Sequence, residues 1–317
     1  MTRHLAIVGP TASGKSAVAL TVATALDDVE IVSLDAMQVY REMDIGTAKP
    51  SPAERTAVRH HLVDVADPSE EWSVRATQTA ARAAVADIEG RGRRALLVGG
   101  TGLYVRAVVD GLRVPPRDAE VRAALERETA TSAGLARAYR RLETADPLAA
   151  SRIEPGNRRR IVRALEVLDT TGRLFSSFGP GLTEYGPPAF DVGLVGVWLP
   201  RAELGRRIAD RFGAMRAAGL EAEVRALAVR SRGLSRTAAQ AIGYKEILAH
   251  LAGEIASPAD AFELAVRRTR QFARRQRVWF RRDPRIRWVG TARNPHDLAA
   301  VVLALWRDAA IVAADRA

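Results

Sequence analysis

The chain has 317 residues, 48 basic and 37 acidic, for a net charge of +11; its 47% hydrophobic and 27% charged content excludes fibrous and disordered classes. The absence of cysteine removes disulfides, thiol catalysis and cysteine-ligated zinc. No run approaches the ~18 apolar residues of a membrane span and the start carries no signal peptide, so a soluble, cytoplasmic protein without a membrane partner is expected.

Leu5–Val8 reads as a short apolar strand leading into Gly9-Pro10-Thr11-Ala12-Ser13-Gly14-Lys15-Ser16, then a helix through Leu26. Two glycines separated by four residues and followed by Lys and Ser, between a strand and a helix, make a phosphate loop. Backbone N–H groups converge on phosphate oxygens, the helix N-terminus adds its dipole, Lys15 brings a point charge and Ser16 can hold Mg²⁺. The next strand, Glu30–Leu34, ends at Asp35. Asp35 suits a metal-holding carboxylate of a kinase, a base facing the phosphate loop, or a cap for the turn Ala36–Tyr40. Asp44–Pro50 places Lys49 before a proline in an extended stretch. His60-His61 opens a strand expected to include Leu62–Val65; without a carboxylate cluster the tandem histidines read as structural rather than metal-binding.

A helix capped by Ser73 runs to about Glu89, and the strand Ala95–Val98 ends in Gly99-Gly100-Thr101. Thr101 is either a cap for Leu103–Val109 or a site residue. Apolar strands separated by helices predict an α/β fold, a parallel sheet flanked by helices with its sites at the carboxyl ends of the strands, where Gly9, Asp35 and Thr101 all fall. Val114-Pro115-Pro116 then breaks the pattern, a mostly helical segment runs from Ala119 to about Leu174, and a Gly- and Pro-rich loop, Phe178–Pro188, closes it. Residues 114–188 thus read as a smaller helical insertion in a core of 1–113 and 189–317. Val192–Leu199 resumes the sheet, helices follow, and Ile286–Val289 is the last expected strand.

Charge is distributed unevenly. Up to Leu112 there are 12 basic and 14 acidic residues, and after it 36 and 23, so the later part carries +13. From Arg267 to Arg287 ten arginines meet one acid, Asp283, and Arg267, Arg270, Arg274, Arg277 and Arg281 share one helical face. A merely solvated face would carry compensating Glu at i,i+4, and none stands between Ala265 and Arg282. Nucleic-acid backbone is the expected partner. Arg158-Arg159-Arg160 with Arg163 forms a second cluster in the insertion. Lysine occurs only at Lys15, Lys49 and Lys245 against 45 arginines, a bias that reads as codon composition.

In order along the chain, Gly9–Ser16, Asp35-Ala36-Met37-Gln38-Val39-Tyr40, Met43–Pro50, His61-Leu62-Val63-Asp64, Leu97–Tyr104, Arg163–Val167, Gly243-Tyr244 and Arg270–Gln276 resemble the tRNA dimethylallyltransferase family, in its bacterial form. The resemblance implies a phosphate-loop NTPase-like core with a tRNA-contacting insertion, and transfer of a dimethylallyl group from its diphosphate to N6 of adenosine 37, next to the anticodon. It implies Asp35 and Thr101 as catalytic residues, Gly9 to Ser16 with Arg207 or Arg211 on the diphosphate, and Mg²⁺ at Ser16. It further implies RNA contacts at Asp35, Ala36, Met37, Gln38, Thr101, Arg122, Arg159, Arg160, Ile161, Val162, Arg163, Gln240, Ala241, Ile242, Gly243, Tyr244 and Lys245, to which the basic helix adds Arg274 and Arg277. The partners are then dimethylallyl diphosphate and the tRNA anticodon stem-loop, with a monomer expected. Ala36 stands where the family often has Ser, so no hydroxyl is required beside Asp35. Rival readings are a small-nucleotide kinase or NTPase, an adenylate dimethylallyltransferase, and a binding module without catalysis; the +13 of the later part opposes small substrates.

Overall fold

The computed structural model describes residues 4–179, 182, 184–290 and 295–314; of the Phe178–Pro188 loop, Pro180, Gly181 and Thr183 lie outside them. Two compact units emerge, Met1–Gly111 with Pro187–Ala317, and Leu112–Gly186.

The larger unit is built on six strands: β1 His4–Val8, β2 Val29–Ser33, β3 His60–His61, β4 Arg94–Gly99, β5 Val192–Val197 and β6 Arg287–Val289. They form one parallel sheet in the order β3-β2-β4-β1-β5-β6. Strands β1 and β2 are buried at every position, as an all-parallel sheet covered on both faces requires. The helices of this unit are α1 Lys15–Thr24, α2 Pro52–Ala57, α3 Val74–Gly90 and α4 Gly102–Val109. The smaller unit holds α5 Ala119–Glu128, α6 Ser132–Ala145, α7 Pro147–Ser151 and α8 Arg158–Thr171. The chain then returns to the larger unit with α9 Arg201–Ala217, α10 Leu220–Ala228, α11 Tyr244–Leu251, α12 Pro258–Phe280 and α13 Pro295–Ala314. One face of the sheet packs Leu5, Ile7 and Val195 with Val18 and Val22 of α1 and Val302 of α13; the other packs Ala6, Val8 and Leu97 with Val85, Val105 and Phe280. The smaller unit has its own core of Leu125, Leu142, Ile161 and Leu165.

Ser73 caps α3 as expected, its side chain accepting from the Ala76 N–H. Strand β3 corrects an expectation: it is the histidine pair itself, and Leu62–Val65 is not a strand. Leu62 and Asp64 take left-handed φ of 62° and 59°, and the next sheet-like pairing is the single bridge Tyr40–Ala66. The histidines are held by the fold. His60 Nδ1 lies 2.7 Å from the Val58 carbonyl, and His61 Nε2 lies 2.7 Å from the carboxylate of Glu30, which Arg91 and Arg93 also grip. Burial works against the Glu30 charge, yet Arg91 and His61 hold its pKa down to about 2. Among the described residues no helix is long and apolar enough to cross a membrane.

Candidate active site

The order β2-β4-β1 decides the geometry of the site. Because β4 lies between β1 and β2, Thr101 just beyond β4 falls between the phosphate loop that follows β1 and Asp35, which follows β2. Three segments separated in sequence thus meet at adjoining strand ends.

The loop Gly9–Ser16 turns tightly into α1. Its Ser13 N–H donates to the Pro10 carbonyl at 3.3 Å, and Ala12 sits in the left-handed region at φ 62°. A non-glycine residue held there costs on the order of 1–3 kcal/mol, strain of a kind that gathers at ligand sites. Ser13 Oγ is buried without a hydrogen-bond partner among the described residues. Lys15 Nζ approaches the Pro10 carbonyl at 3.4 Å and would lie 3.3 Å from a Cβ on Gly100. Burial pushes Lys15 down to about 8, against the pull of Asp35 and with the help of Arg211. The Ser16 hydroxyl at the head of α1 is exposed.

Asp35 spends one oxygen on its own turn, Oδ1 accepting from the Met37 N–H at 2.8 Å. Oδ2 has no protein partner among the described residues, and the carboxylate acts electrostatically on both Lys15 and Arg211. Thr101 occupies the N-cap position of α4, yet its hydroxyl makes no capping hydrogen bond and stays available.

The two arginines of α9 separate here. Arg211 reaches the loop, donating to the Thr11 hydroxyl at 3.3 Å, and burial depresses its pKa while Asp35 raises it. Arg207 is tied at 2.7 Å to Glu203 on its own helix, with its far nitrogen 3.6 Å from where a Cβ on Gly14 would stand.

Gln38 is committed inward. Its Oε1 accepts from the Ser33 hydroxyl at 2.8 Å and its amide N–H groups reach the carbonyls of Thr47 and Ala48 at 3.3 and 3.1 Å. The stretch Asp44–Pro50, which had no role in the sequence, is therefore the bed on which the turn Asp35–Gln38 rests. The Glu223 carboxylate receives the N–H groups of Asp44, Ile45 and Gly46 and the Tyr244 hydroxyl. Lys49, its side chain 3% exposed, bonds the Tyr40 carbonyl, Asp44 and Asp64.

The side chains of Ile161, Val162, Ala241 and Tyr244, positions where the resemblance implies RNA contacts, are each at most 4% exposed and serve a core. Arg122 and Arg163 both bridge to the buried Glu166, and Arg163 also donates to the carbonyls of Pro115 and Pro116, so their charge is largely spent inside the smaller unit. Arg159 and Arg160 are exposed at the start of α8, without a carboxylate partner among the described residues. Ile242 packs partly buried beside Gly243, and Lys245, exposed, donates to Gln240 at 2.9 Å. On α12, Arg267, Arg270 and Arg274 are exposed, as is Arg281 at its C-terminal cap, while Arg277 lies 4.0 Å over the Trp198 ring. Burial, with Arg281 and Arg201 nearby, pushes Arg277 below its usual pKa.

The sequence profile described as IPP transferase matches residues 38–283. The chain belongs to the IPP transferase family. It is 50% identical over 308 residues to a tRNA dimethylallyltransferase from Kineococcus radiotolerans, covering 95% of each chain. It is 51% identical over 288 residues to one from Salinispora arenicola, covering 91% of this chain and 82% of that one. The crystal structure of the full-length tRNA isopentenylpyrophosphate transferase from Bacillus halodurans superposes with a TM-score of 0.70 at 33% identity, covering 98% and 99% of the two chains. The parallel sheet that the strand pattern predicted is thus shared with a solved member of the IPP transferase family. The profile match begins beyond the phosphate loop.

Sequence reading missed Gln276, Glu223 and Trp198 as parts of this site. Only Gln276 left a trace, as an uncharged residue inside a run of arginines.

Proposed function

We propose that the chain is a tRNA dimethylallyltransferase, moving the dimethylallyl group of dimethylallyl diphosphate to N6 of adenosine 37 in tRNA and releasing diphosphate. The observation that carries this is a carboxylate, Asp35, with one oxygen uncommitted beside a phosphate loop flanked by Lys15 and Arg211. In the transfer, the allylic C–O bond breaks with its electron pair leaving on the diphosphate, the N6–C bond forms, and the N6 proton passes to Asp35. Loop N–H groups, Lys15 and Arg211 neutralise the charge that grows on the leaving group. Arg211 rather than Arg207 takes this role, because Arg207 already has a carboxylate. The Thr101 hydroxyl, not used as a cap, borders both the carbon and the base. The base must leave its stack to reach this depth.

A divalent ion fits the residues present. The exposed Ser16 hydroxyl and diphosphate oxygens are hard donors of the sort Mg²⁺ accepts while keeping most of its waters. When bound, Mg²⁺ would supply further charge neutralisation on the diphosphate. The proposed enzyme is a monomer that acts on tRNA in the cytoplasm.

Incubation with labelled dimethylallyl diphosphate, Mg²⁺ and either tRNA or AMP tests the reading. Label in tRNA but not AMP is expected; label in AMP alone would favour a nucleotide prenyltransferase, and none in either would sink the proposal.

In the larger unit the RNA backbone lies along α12; in the smaller unit the exposed Arg159 and Arg160 at the start of α8 are separate phosphate contacts. Arg277 and Arg281 both lie over the Trp198 ring, and burial together with Arg281 and Arg201 disfavours the charge of Arg277, an arrangement that a phosphodiester would relieve. Replacing Arg274 and Arg277 together by Ala is expected to weaken tRNA binding and lower the slope of log affinity against log salt by about 2. An unchanged slope would remove α12 from the RNA surface.

Lys15 sets a pH signature. Below its pKa of about 8 the ammonium already carries the charge a diphosphate needs; above it, binding must draw a proton from solvent. Affinity for inorganic pyrophosphate should then fall by up to about tenfold per pH unit above that point, until the lysine of the complex itself titrates. Stability of the free protein moves oppositely. The unfolded lysine keeps its proton to about 10.5, so between the two values this group's contribution to stability rises with pH. Lys15→Met should abolish the break; a titration flat across pH 8 in the unsubstituted protein would refute the assignment.

A further inference from the structure

We infer that Gln276 is a positioning residue, whose side-chain amide clamps the phosphate loop to the Gly100–Thr101 turn and so sets where the diphosphate stands relative to Thr101. It lies in α12 between Arg275 and Arg277, yet is 5% exposed and is turned toward the loops that follow β1 and β4. Burying an amide among apolar neighbours is unfavourable unless both its ends are hydrogen-bonded. Both are. Oε1 accepts from the Thr11 N–H at 2.8 Å, and Nε2 donates to the Gly100 carbonyl at 2.7 Å. One planar group thus joins loops that follow two neighbouring strands.

Each bond reaches a point that matters. Pro10 has no N–H, so Thr11 carries the first amide of the loop past its proline, and Ala12 with its left-handed φ of 62° comes next. With its N–H held by Gln276 and its hydroxyl by Arg211, Thr11 is gripped from both sides. The peptide before Ala12 is then fixed, and with it the aim of the later amides. On the other side, a Cβ on Gly100 would stand 2.7 Å from Gln276 Nε2, and one on Gly102 would stand 2.1 Å from the Trp279 ring. The glycines flanking Thr101 therefore admit this face of α12 to close contact. Arg274, on the same turn, is exposed, so one helical turn presents a cation to solvent and an amide to the site.

This inference rests on the phosphate loop being the diphosphate site. Steady-state kinetics with dimethylallyl diphosphate and tRNA test it. Gln276→Leu, which keeps the bulk and removes both hydrogen bonds, is expected to lower kcat roughly 10–100-fold and raise KM for dimethylallyl diphosphate while leaving KM for tRNA within twofold, since misplacement of about 1 Å at a reacting centre has effects of this size. Gln276→Glu supplies the second arm. Its ionised carboxylate accepts from Thr11 but has no proton for Gly100, and regains one when protonated. The ratio of its kcat to that of the unsubstituted enzyme should therefore rise as pH falls, a rescue that a mere packing role would not produce. A Gln276→Leu enzyme with both diphosphate parameters within twofold would overturn the inference, as would a defect confined to KM for tRNA. If that variant does not fold, a pH-independent ratio for Gln276→Glu overturns it alone. Lys15→Met separates the layers: diphosphate binding that survives it means that the loop assignment itself has failed.

Discussion

Asp35→Asn should lower the rate of dimethylallyl transfer by about 10²–10⁴-fold, the range general-base catalysis supplies, with tRNA affinity changed little. The asparagine keeps the Oδ1 acceptor that the Met37 N–H needs and the volume of the side chain, so the turn persists. What disappears is an oxygen able to take the N6 proton. Single-turnover transfer beside equilibrium tRNA binding checks this; a large loss of binding with intact chemistry would make Asp35 an RNA-positioning residue instead. A second consequence follows from charge. Asp35 supports the protonated state of Lys15, so its neutralisation should move the pH break in pyrophosphate affinity below about 8. A break that stays in place would mean that the two groups are uncoupled.

Lys49→Met should cost about 3–5 kcal/mol of stability, the range for breaking a buried ion pair from one side. Lys49 is 3% exposed and brings one ammonium to three oxygens: the Tyr40 carbonyl at 2.7 Å, Asp64 at 2.6 Å, and Asp44. The lower end of the range applies, because Asp44 is 61% exposed and Asp64 keeps Arg55. Burial raises the Asp64 pKa and the bonds to Lys49 and Arg55 outweigh it, holding the group below the usual carboxylate range. Lys49→Arg should not restore the loss: three acceptors converging on one nitrogen suit a compact ammonium, not a planar fork. Transfer should fall with stability, since the Thr47 and Ala48 carbonyls that hold Gln38 belong to the same stretch. Denaturant unfolding of both variants checks this. A midpoint unchanged in Lys49→Met would show that the ion pairs carry no net stability.

The three lysines show how far composition reaches. Their survival among 45 arginines marked them in the sequence, and the phosphate loop explained Lys15 there. Lys49 acquired a reason only when Tyr40, Asp44 and Asp64 were seen around it. Lys245 remains an exposed residue on Gln240.

What the sequence by itself determined is whatever neighbouring residues decide. Apolar runs bounded by glycine, aspartate or proline placed β1, β2, β4 and β5, Ser73 capped α3, and strand–loop–helix spacing marked the phosphate loop, because each depends on backbone groups within a few residues. Tertiary structure decided the rest. Leu62–Val65 has a strand-like composition, but Asp64 is drawn to Lys49 and Arg55, and its N–H donates to the Gln38 carbonyl, so the chain turns there. Which arginine of α9 reaches Thr11 hung on a contact 200 residues apart in sequence, and the burial of Ile161, Val162 and Tyr244 on which helix faces became core. Gln276 lies 265 residues from Thr11 and 176 from Gly100, separations at which no local pattern carries information. A side chain's hydrogen-bonding capacity is written in the sequence, whereas its partner is set by which strands the sheet places side by side.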